Sequence, residues 1–170
     1  EFLLSARPSP SGLRYAEDQL FNLQVFPRAE RVALLAKDVY VYKFGGVTGN
    51  LTLSLFDDMI RLHSRKMGMT DREDWKKSEL RAFLNNVRSF LATLAVSGQL
   101  TARRMPEALQ KLNESSIWRQ ALEAHPGVDD GFFSAMRRND HAAAYQELSR
   151  NTFLKKVSYR LRRIILKLVR

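Results

Sequence analysis

The spacing of hydrophobic positions along the chain changes near residue 50. Beyond this point, apolar residues recur every three or four positions over residues 50–67 and again over 71–97, which is the period of a helix with one buried face. In the second run these positions form one wide stripe. The stripe consists of Trp75, Leu80, Phe83, Leu84, Val87, Phe90, Leu91 and Leu94. The pattern therefore predicts two amphipathic helices in succession.

Capping and turn-forming residues set the limits of these helices and of those that follow. Residues 70–74 contain the Thr and Asp side chains that favour a helix start, and Gly98 is typical of a helix end. Further helices are predicted over residues 106–124 and about 129–150, with a Pro-Gly turn between them.

The front of the chain has a different pattern. Residues 5–14 are rich in Pro, Ser and Gly, as loops are. A short helix is predicted over residues 15–25, and Pro27 ends it. Two β-rich runs, 31–35 and 39–44, then predict short strands. The predicted fold is mostly α, with a small α/β remnant in front and a helical module behind it.

Composition narrows the class of protein. The chain has 170 residues, enough to bury a core, and a formal net charge of +10. It contains no cysteine, which excludes disulfides and thiol nucleophiles and fits a reducing compartment. No apolar run reaches the roughly 18 residues of a transmembrane helix, and the first residues lack the pattern of a signal peptide. The chain does not begin with Met, and we expect it to be a piece of a longer protein.

Residues 15–44 carry the most informative motif. An acidic pair opens the short helix, a Phe-Asn pair follows on the same helix, and a strand then leads to an aromatic and basic stretch. These elements are Glu17-Asp18, Phe21-Asn22, Ala29, Val32 to Leu35 and Tyr40-Val41-Tyr42-Lys43. In order and spacing they resemble the family 2 glycosyltransferases. Members of that family have a GT-A-type nucleotide-sugar domain and transfer sugars with inversion.

The resemblance implies roles for the two acids. Asp18 would be the general base, which takes the proton of an acceptor hydroxyl as that hydroxyl attacks the donor sugar. Glu17 would support it at the helix start. The residues alone leave an alternative, because acids are also common as solvated side chains at the positive end of a helix dipole.

The resemblance also implies contacts with the substrate. Tyr42, Lys43 and Thr48 are the candidates for substrate binding. Many relatives have Arg at the position of Lys43, and Lys does not offer the planar fork that holds a phosphate through two bonds. Thr48 lies in a Gly-rich stretch that is equally typical of a plain turn between a strand and a helix.

The family requires a divalent metal, Mg or Mn, on the donor diphosphate. Its ligands belong to an Asp-x-Asp-type element upstream of the acidic pair, so we expect them outside this chain and expect the segment alone to be inactive. The other clustered acids fit helix surfaces, turns and caps, and we predict structural roles for them. They are Asp57, Asp58, Asp71, Asp74, Asp129 and Asp130. The three histidines share no zinc-ligand spacing, so no metal site is predicted in the chain itself.

These inferences divide the chain in two. Residues 1–49 would be the C-terminal segment of a GT-A-like catalytic domain, and residues 50–170 a helical module. The implied function is transfer of a sugar from a nucleotide-diphosphate donor to a glycan or lipid-linked acceptor, in polysaccharide or glycoconjugate biosynthesis. The implied location is the cytoplasm, with peripheral attachment to the inner face of the membrane.

The end of the chain is strongly basic. Residues 152–170 contain no acid, and their apolar residues recur with helical spacing. The basic residues are Lys155, Lys156, Arg160, Arg162, Arg163, Lys167 and Arg170. Such a helix is typical of attachment to an anionic membrane surface, whereas packing on the preceding helices and binding of a calmodulin-like protein are alternatives and nucleic acid is the least favoured partner. A second hypothesis follows, in which the chain is a non-catalytic module that binds a membrane or another anionic partner.

Overall fold

The computed structural model describes residues 12–31, 51–128 and 130–150. Its described part is mostly helical. The helices are α1 (Glu17–Val25), α2 (Leu53–Met67), α3 (Glu73–Ser97), α4 (Met105–Asn113), α5 (Ser116–Ala124), α6 (Gly131–Arg137) and α7 (His141–Arg150), with 3-10 turns at Phe26–Arg28 and Ala102–Arg104. The prediction of a mostly α fold is confirmed for these residues.

The long helix α3 is the centre of the packing. It contacts α2, α5 and α7, while α4 packs against α2, α5 and α7, and α6 packs on α7. The hydrophobic stripe predicted for α3 is buried along its length, except for Trp75 in the first turn, which is only partly buried. An isolated helix is only marginally stable in water, so burial of this continuous stripe is the main contribution to the stability of α3.

Aromatic rings connect the helices through the core. The Phe83 ring packs edge-on against the ring of His63 on α2 and against Trp118 on α5, with centroids 5.2 Å and 6.5 Å away. Trp118 in turn lies 6.2 Å from Phe133, which meets Phe132 at 5.0 Å. Offset and edge-on ring pairs of this kind contribute about 0.5–1.5 kcal/mol beyond the area they bury. The core is therefore one connected unit from α2 to α6.

Two predicted helices are each divided into two in the structure. The run predicted over 106–124 breaks at Ser115, whose backbone is extended and whose hydroxyl donates to the Leu112 carbonyl at 2.7 Å. The run predicted over about 129–150 breaks at Asn139, which has a left-handed backbone with φ of 54°. Short polar side chains favour both conformations, since they bond locally to the backbone.

The predicted helix boundaries are partly right. Gly98 ends α3 in a left-handed conformation with φ of 78°, as expected for a glycine after a helix. The capping prediction for residues 70–74 was wrong in detail. The residue before α3 is Arg72, whose side chain does not cap the helix but pairs with Asp74, the guanidinium Nη2 lying 2.6 Å from the carboxylate.

The small α/β remnant is described only through α1. The strands predicted over 31–35 and 39–44 and the boundary predicted after residue 49 fall almost wholly outside the described residues. Within the described ranges, every helix is too short or too polar to cross a lipid bilayer.

Candidate functional site

Helix α1 begins without the usual polar cap. The residue at its N-cap is Ala16, whose side chain cannot accept a hydrogen bond and whose backbone is left-handed, with φ of 52° and ψ of 37°. The Gln19 amide donates to the Ala16 carbonyl at 3.1 Å and to the Asp18 carboxylate at 3.0 Å. Asp18 thus does part of the capping from inside the first turn.

The two sides of α1 have opposite environments. Asp18, Phe21 and Asn22 lie three and four residues apart and are exposed, with Phe21 40% accessible. Leu20 is 3% accessible and packs with Leu13 and with Leu62 of α2. The helix therefore rests on the helical module by one side and presents a carboxylate, an amide and an aromatic ring on the other.

The segment before α1 is anchored by a buried carboxylate. Asp58 on α2 accepts from the Arg14 backbone amide at 3.2 Å and from the Arg14 guanidinium Nε at 3.3 Å. The Asp58 side chain is 5% exposed, whereas that of Arg14 is 63% exposed. Tyr15 packs edge-on against Phe90 of α3, with centroids 5.5 Å apart, and burial raises the pKa of its phenol.

Asp18 is accessible from outside the protein, on the side of α1 that faces away from α2. A carboxylate can accept a proton only from a group within hydrogen-bond reach, and the exposure of Asp18 is compatible with that requirement.

No protein-family model, curated protein or solved structure matches this chain. The family resemblance therefore rests on the residues of the motif, and the activity that it implies is a proposal.

Two of the other clustered acids, Asp57 and Asp130, have structural partners. Asp57 pairs with Lys111 of α4 at 2.7 Å, and Asp130 caps α6 by accepting from the Phe133 amide at 2.9 Å. Asp130 also pairs with Arg88 of α3 at 3.1 Å. Among the residues that the structure describes, no group of three or more His, Asp or Glu side chains is placed to hold a metal ion.

A buried polar cluster between α2 and α3 was not predicted. His63 Nδ1 lies 2.6 Å from Glu79 Oε1, and His63 Nε2 lies 2.9 Å from Asn86 Nδ2. Lys66 Nζ is 3.3 Å from the same Glu79 oxygen. In the contact with Glu79, the imidazole Nδ1–H donates to the carboxylate. Sixteen residues separate His63 from Glu79, and their sequence spacing gave no signal of a pair.

Burial sets the character of this cluster. His63 is 1% exposed and lies against the Phe83 ring, so the imidazole has no access to a substrate. Burial of Glu79 raises the pKa of its carboxyl, but the hydrogen bonds and charge interactions with His63 and Lys66 together outweigh this, so the pKa lies below its usual value. The cluster joins two helices and carries no sign of catalysis.

Several predicted site residues lie outside the described part of the structure. Glu17 begins α1, but its side chain is outside what the structure describes. The substrate-binding candidates Tyr42, Lys43 and Thr48 are outside it as well, as are the basic residues of 152–170. Their roles remain predictions from the sequence.

Proposed function

We propose that this chain is the base-bearing, acceptor-side portion of a family 2 glycosyltransferase that acts in polysaccharide or glycoconjugate assembly. The observation that carries the proposal is the motif of residues 15–44, whose order and spacing resemble those of the family. Asp18 is exposed on the first turn of a helix whose opposite side is anchored to the helical module, which is compatible with the access that a base needs.

In the proposed reaction, the acceptor hydroxyl approaches the exposed side of α1. Asp18 takes the hydroxyl proton as the hydroxyl oxygen bonds to the anomeric carbon of the donor. The bond from that carbon to the nucleotide diphosphate breaks at the same time, and the nucleotide diphosphate leaves with the bonding electrons. A hydroxyl is a poor nucleophile until a base accepts its proton, so the rate depends on how closely Asp18 and the acceptor are aligned.

The described residues do not provide a site for the divalent metal that the family requires. We therefore propose no metal ligand among these residues. The proposal for this chain concerns the acceptor and its proton, and binding of the nucleotide diphosphate is proposed to depend on a part of the enzyme beyond this chain.

The rival hypothesis is a non-catalytic basic module. It gains support if the start of α1 is covered by the helical module, because a covered carboxylate cannot reach a substrate. Asp18 is exposed, as both a catalytic base and a solvated acid at a helix start would be, so its exposure does not separate the two hypotheses. The membrane attachment proposed for residues 152–170 is compatible with either hypothesis, since an enzyme with a lipid-linked acceptor also benefits from it.

The test is Asp18→Asn in the longer protein that we expect to carry this segment. Donors would be a panel of UDP- and GDP-sugars with Mg or Mn, acceptors a panel of alkyl glycosides, and products would be followed by mass spectrometry. The change keeps the shape of the side chain and removes the base, so we expect transfer to fall by about 100- to 10,000-fold. Donor affinity should change little.

Asp71→Asn is the matched control, since Asp71 is an exposed acid in the turn between α2 and α3. It should leave transfer unchanged. An Asp18→Asn enzyme that keeps more than about a tenth of wild-type activity would show that Asp18 is not the base, because general-base catalysis contributes more than that. A wild-type enzyme inactive on the whole panel would count against the proposed function.

A further inference from the structure

Two adjacent acids on α2 have different environments. Asp57 is partly exposed and pairs with Lys111 across the boundary with α4. Asp58 is buried and accepts two hydrogen bonds from Arg14, which is 44 residues away in the sequence. A buried carboxylate is costly unless it is paired and hydrogen-bonded. The Arg14 contact therefore constrains where the segment before α1 can lie.

The constraint acts close to the proposed base. Arg14 precedes Asp18 by four residues, and the two residues that directly follow Arg14 are themselves fixed. Tyr15 packs against Phe90 of α3, and Ala16 is held in a left-handed conformation. One turn further on, Leu20 packs against Leu62. The first turn of α1 is thus held from both ends, and Asp58 supplies the only described ionic contact among these.

We propose that Asp58 is a positioning residue for Asp18, and that the helical module aligns the base by holding Arg14. This inference rests on the proposed function of Asp18. Both Arg14 donors bond to the Oδ2 atom of Asp58, so loss of the charge weakens both bonds, and the strained turn at Ala16 is then free to relax. A misplacement of about 1 Å can reduce a catalysed rate by about 100-fold.

The test compares Asp58→Asn with Asp57→Asn in the longer protein, using the same UDP- and GDP-sugar donors and alkyl glycoside acceptors. Asp58→Asn should lower kcat by about 10- to 100-fold while donor KM changes little, because alignment is lost and donor binding is not. Asp57→Asn removes the neighbouring acid on the same helix and should leave kcat near wild type. Asp58→Glu, which keeps the charge, should recover part of the rate.

A double-mutant cycle separates positioning from a general loss of stability. If Asp58 acts through Arg14, then Asp58→Asn should slow an Arg14→Gln enzyme by a smaller factor than it slows the wild type, since only the backbone bond of residue 14 is left to lose. If it acts through Asp18, then Asp58→Asn should have no further effect in an Asp18→Asn enzyme. Multiplicative effects in both cycles would overturn the proposal.

A readout independent of activity uses the 170-residue chain. Amide hydrogen exchange in α1 should be faster in Asp58→Asn than in Asp57→Asn, while exchange in α3 should be the same. If Asp58→Asn does not fold, Arg14→Gln carries the test, since the Arg14 side chain is exposed. A folded Asp58→Asn enzyme with wild-type kcat overturns this inference alone, whereas wild-type activity in Asp18→Asn overturns the proposed function.

Discussion

The helical module and the segment over residues 12–31 use their hydrophobic side chains in opposite ways. In the module, helices from α2 to α6 bury large side chains completely, among them Phe56, Phe83 and Phe132. The segment buries Leu13, Leu20 and Val25 and exposes Phe21 and Phe26, with Phe26 57% accessible. Regions with few buried contacts open at low cost, and dense cores do so only with global unfolding. We therefore expect the module to contribute most of the stability of the chain, and the segment to carry the proposed chemistry.

The start of α1 differs from the helix starts of the module in its backbone conformation. In the module, side chains cap α2 and α6 but not α3, α4 or α5, and the residue before each of these five helices has a negative φ. In the segment, α1 starts at a left-handed Ala16. Unusual backbone conformations persist only where the surroundings enforce them, and they are concentrated at functional sites. The Arg14 and Tyr15 contacts with the module supply that enforcement.

The largest loss of stability should come from truncating a side chain in the hydrophobic core of the module. Phe83 is fully buried and its ring contacts His63 and Trp118, so Phe83→Ala should lower the free energy of unfolding by about 3–5 kcal/mol. Phe21→Ala in the segment is the matched control and should cost less than about 1 kcal/mol, because that ring is exposed. Denaturant titration of the chain measures both. Equal losses would contradict the comparison between the two regions.

The sequence predicts the module better than the segment. A stripe repeated over more than five turns of helix, as in α3, gives a strong periodic signal, and burial of that stripe agrees with it. The breaks at Ser115 and Asn139 were missed, because each depends on local hydrogen bonding in a region whose hydrophobic period continues on both sides. Periodicity reports which face is buried, and it does not report single-residue interruptions.

The candidate site could be predicted only in part. The motif identified Asp18 and the helix that carries it. The exposure of Asp18 depends on which side of α1 meets α2, and a helix of nine residues is too short to give a clear periodic signal of that side. The Arg14–Asp58 pair joins residues from a predicted loop and a predicted helix 44 positions apart. Contacts between residues this far apart in the sequence depend on tertiary packing, which the local sequence pattern does not predict.

A change in the polar cluster that joins α2 and α3 should have an intermediate effect on the free energy of unfolding. Glu79→Gln keeps the size of the side chain but removes the charge that pairs with His63 and Lys66. At neutral pH it should lower the free energy of unfolding by about 1–3 kcal/mol. Glu73→Gln, on the same helix but with an 84% exposed side chain, should change it little.

The pH dependence of this effect follows from the direction of the pKa shift. The pKa of Glu79 in the folded chain lies below its usual value of 4.5, so the stability it contributes is present above that pH and is lost as the pH falls through the folded pKa. Glu79→Gln should therefore flatten the decrease in unfolding free energy of the wild type below pH 4.5. A decrease of the same steepness in both proteins would show that the cluster does not stabilise the module in this way.

The smallest effect on the free energy of unfolding should come from Ala16→Gly at the start of α1, and this change should not destabilise the chain. A left-handed Ala costs about 1–2 kcal/mol relative to its preferred conformations, whereas Gly adopts φ near 52° freely. The extra freedom of Gly in the unfolded chain costs about 0.4–1 kcal/mol. Ala16→Gly should therefore be neutral or stabilising by up to about 1.6 kcal/mol, and amide exchange in α1 should slow or stay the same. The matched change Ala82→Gly lies in the interior of α3, where it should destabilise by about 1 kcal/mol. If Ala16→Gly destabilised as much as Ala82→Gly, the start of α1 would not be strained, and relaxation of that turn could not be part of how Asp58 acts on Asp18.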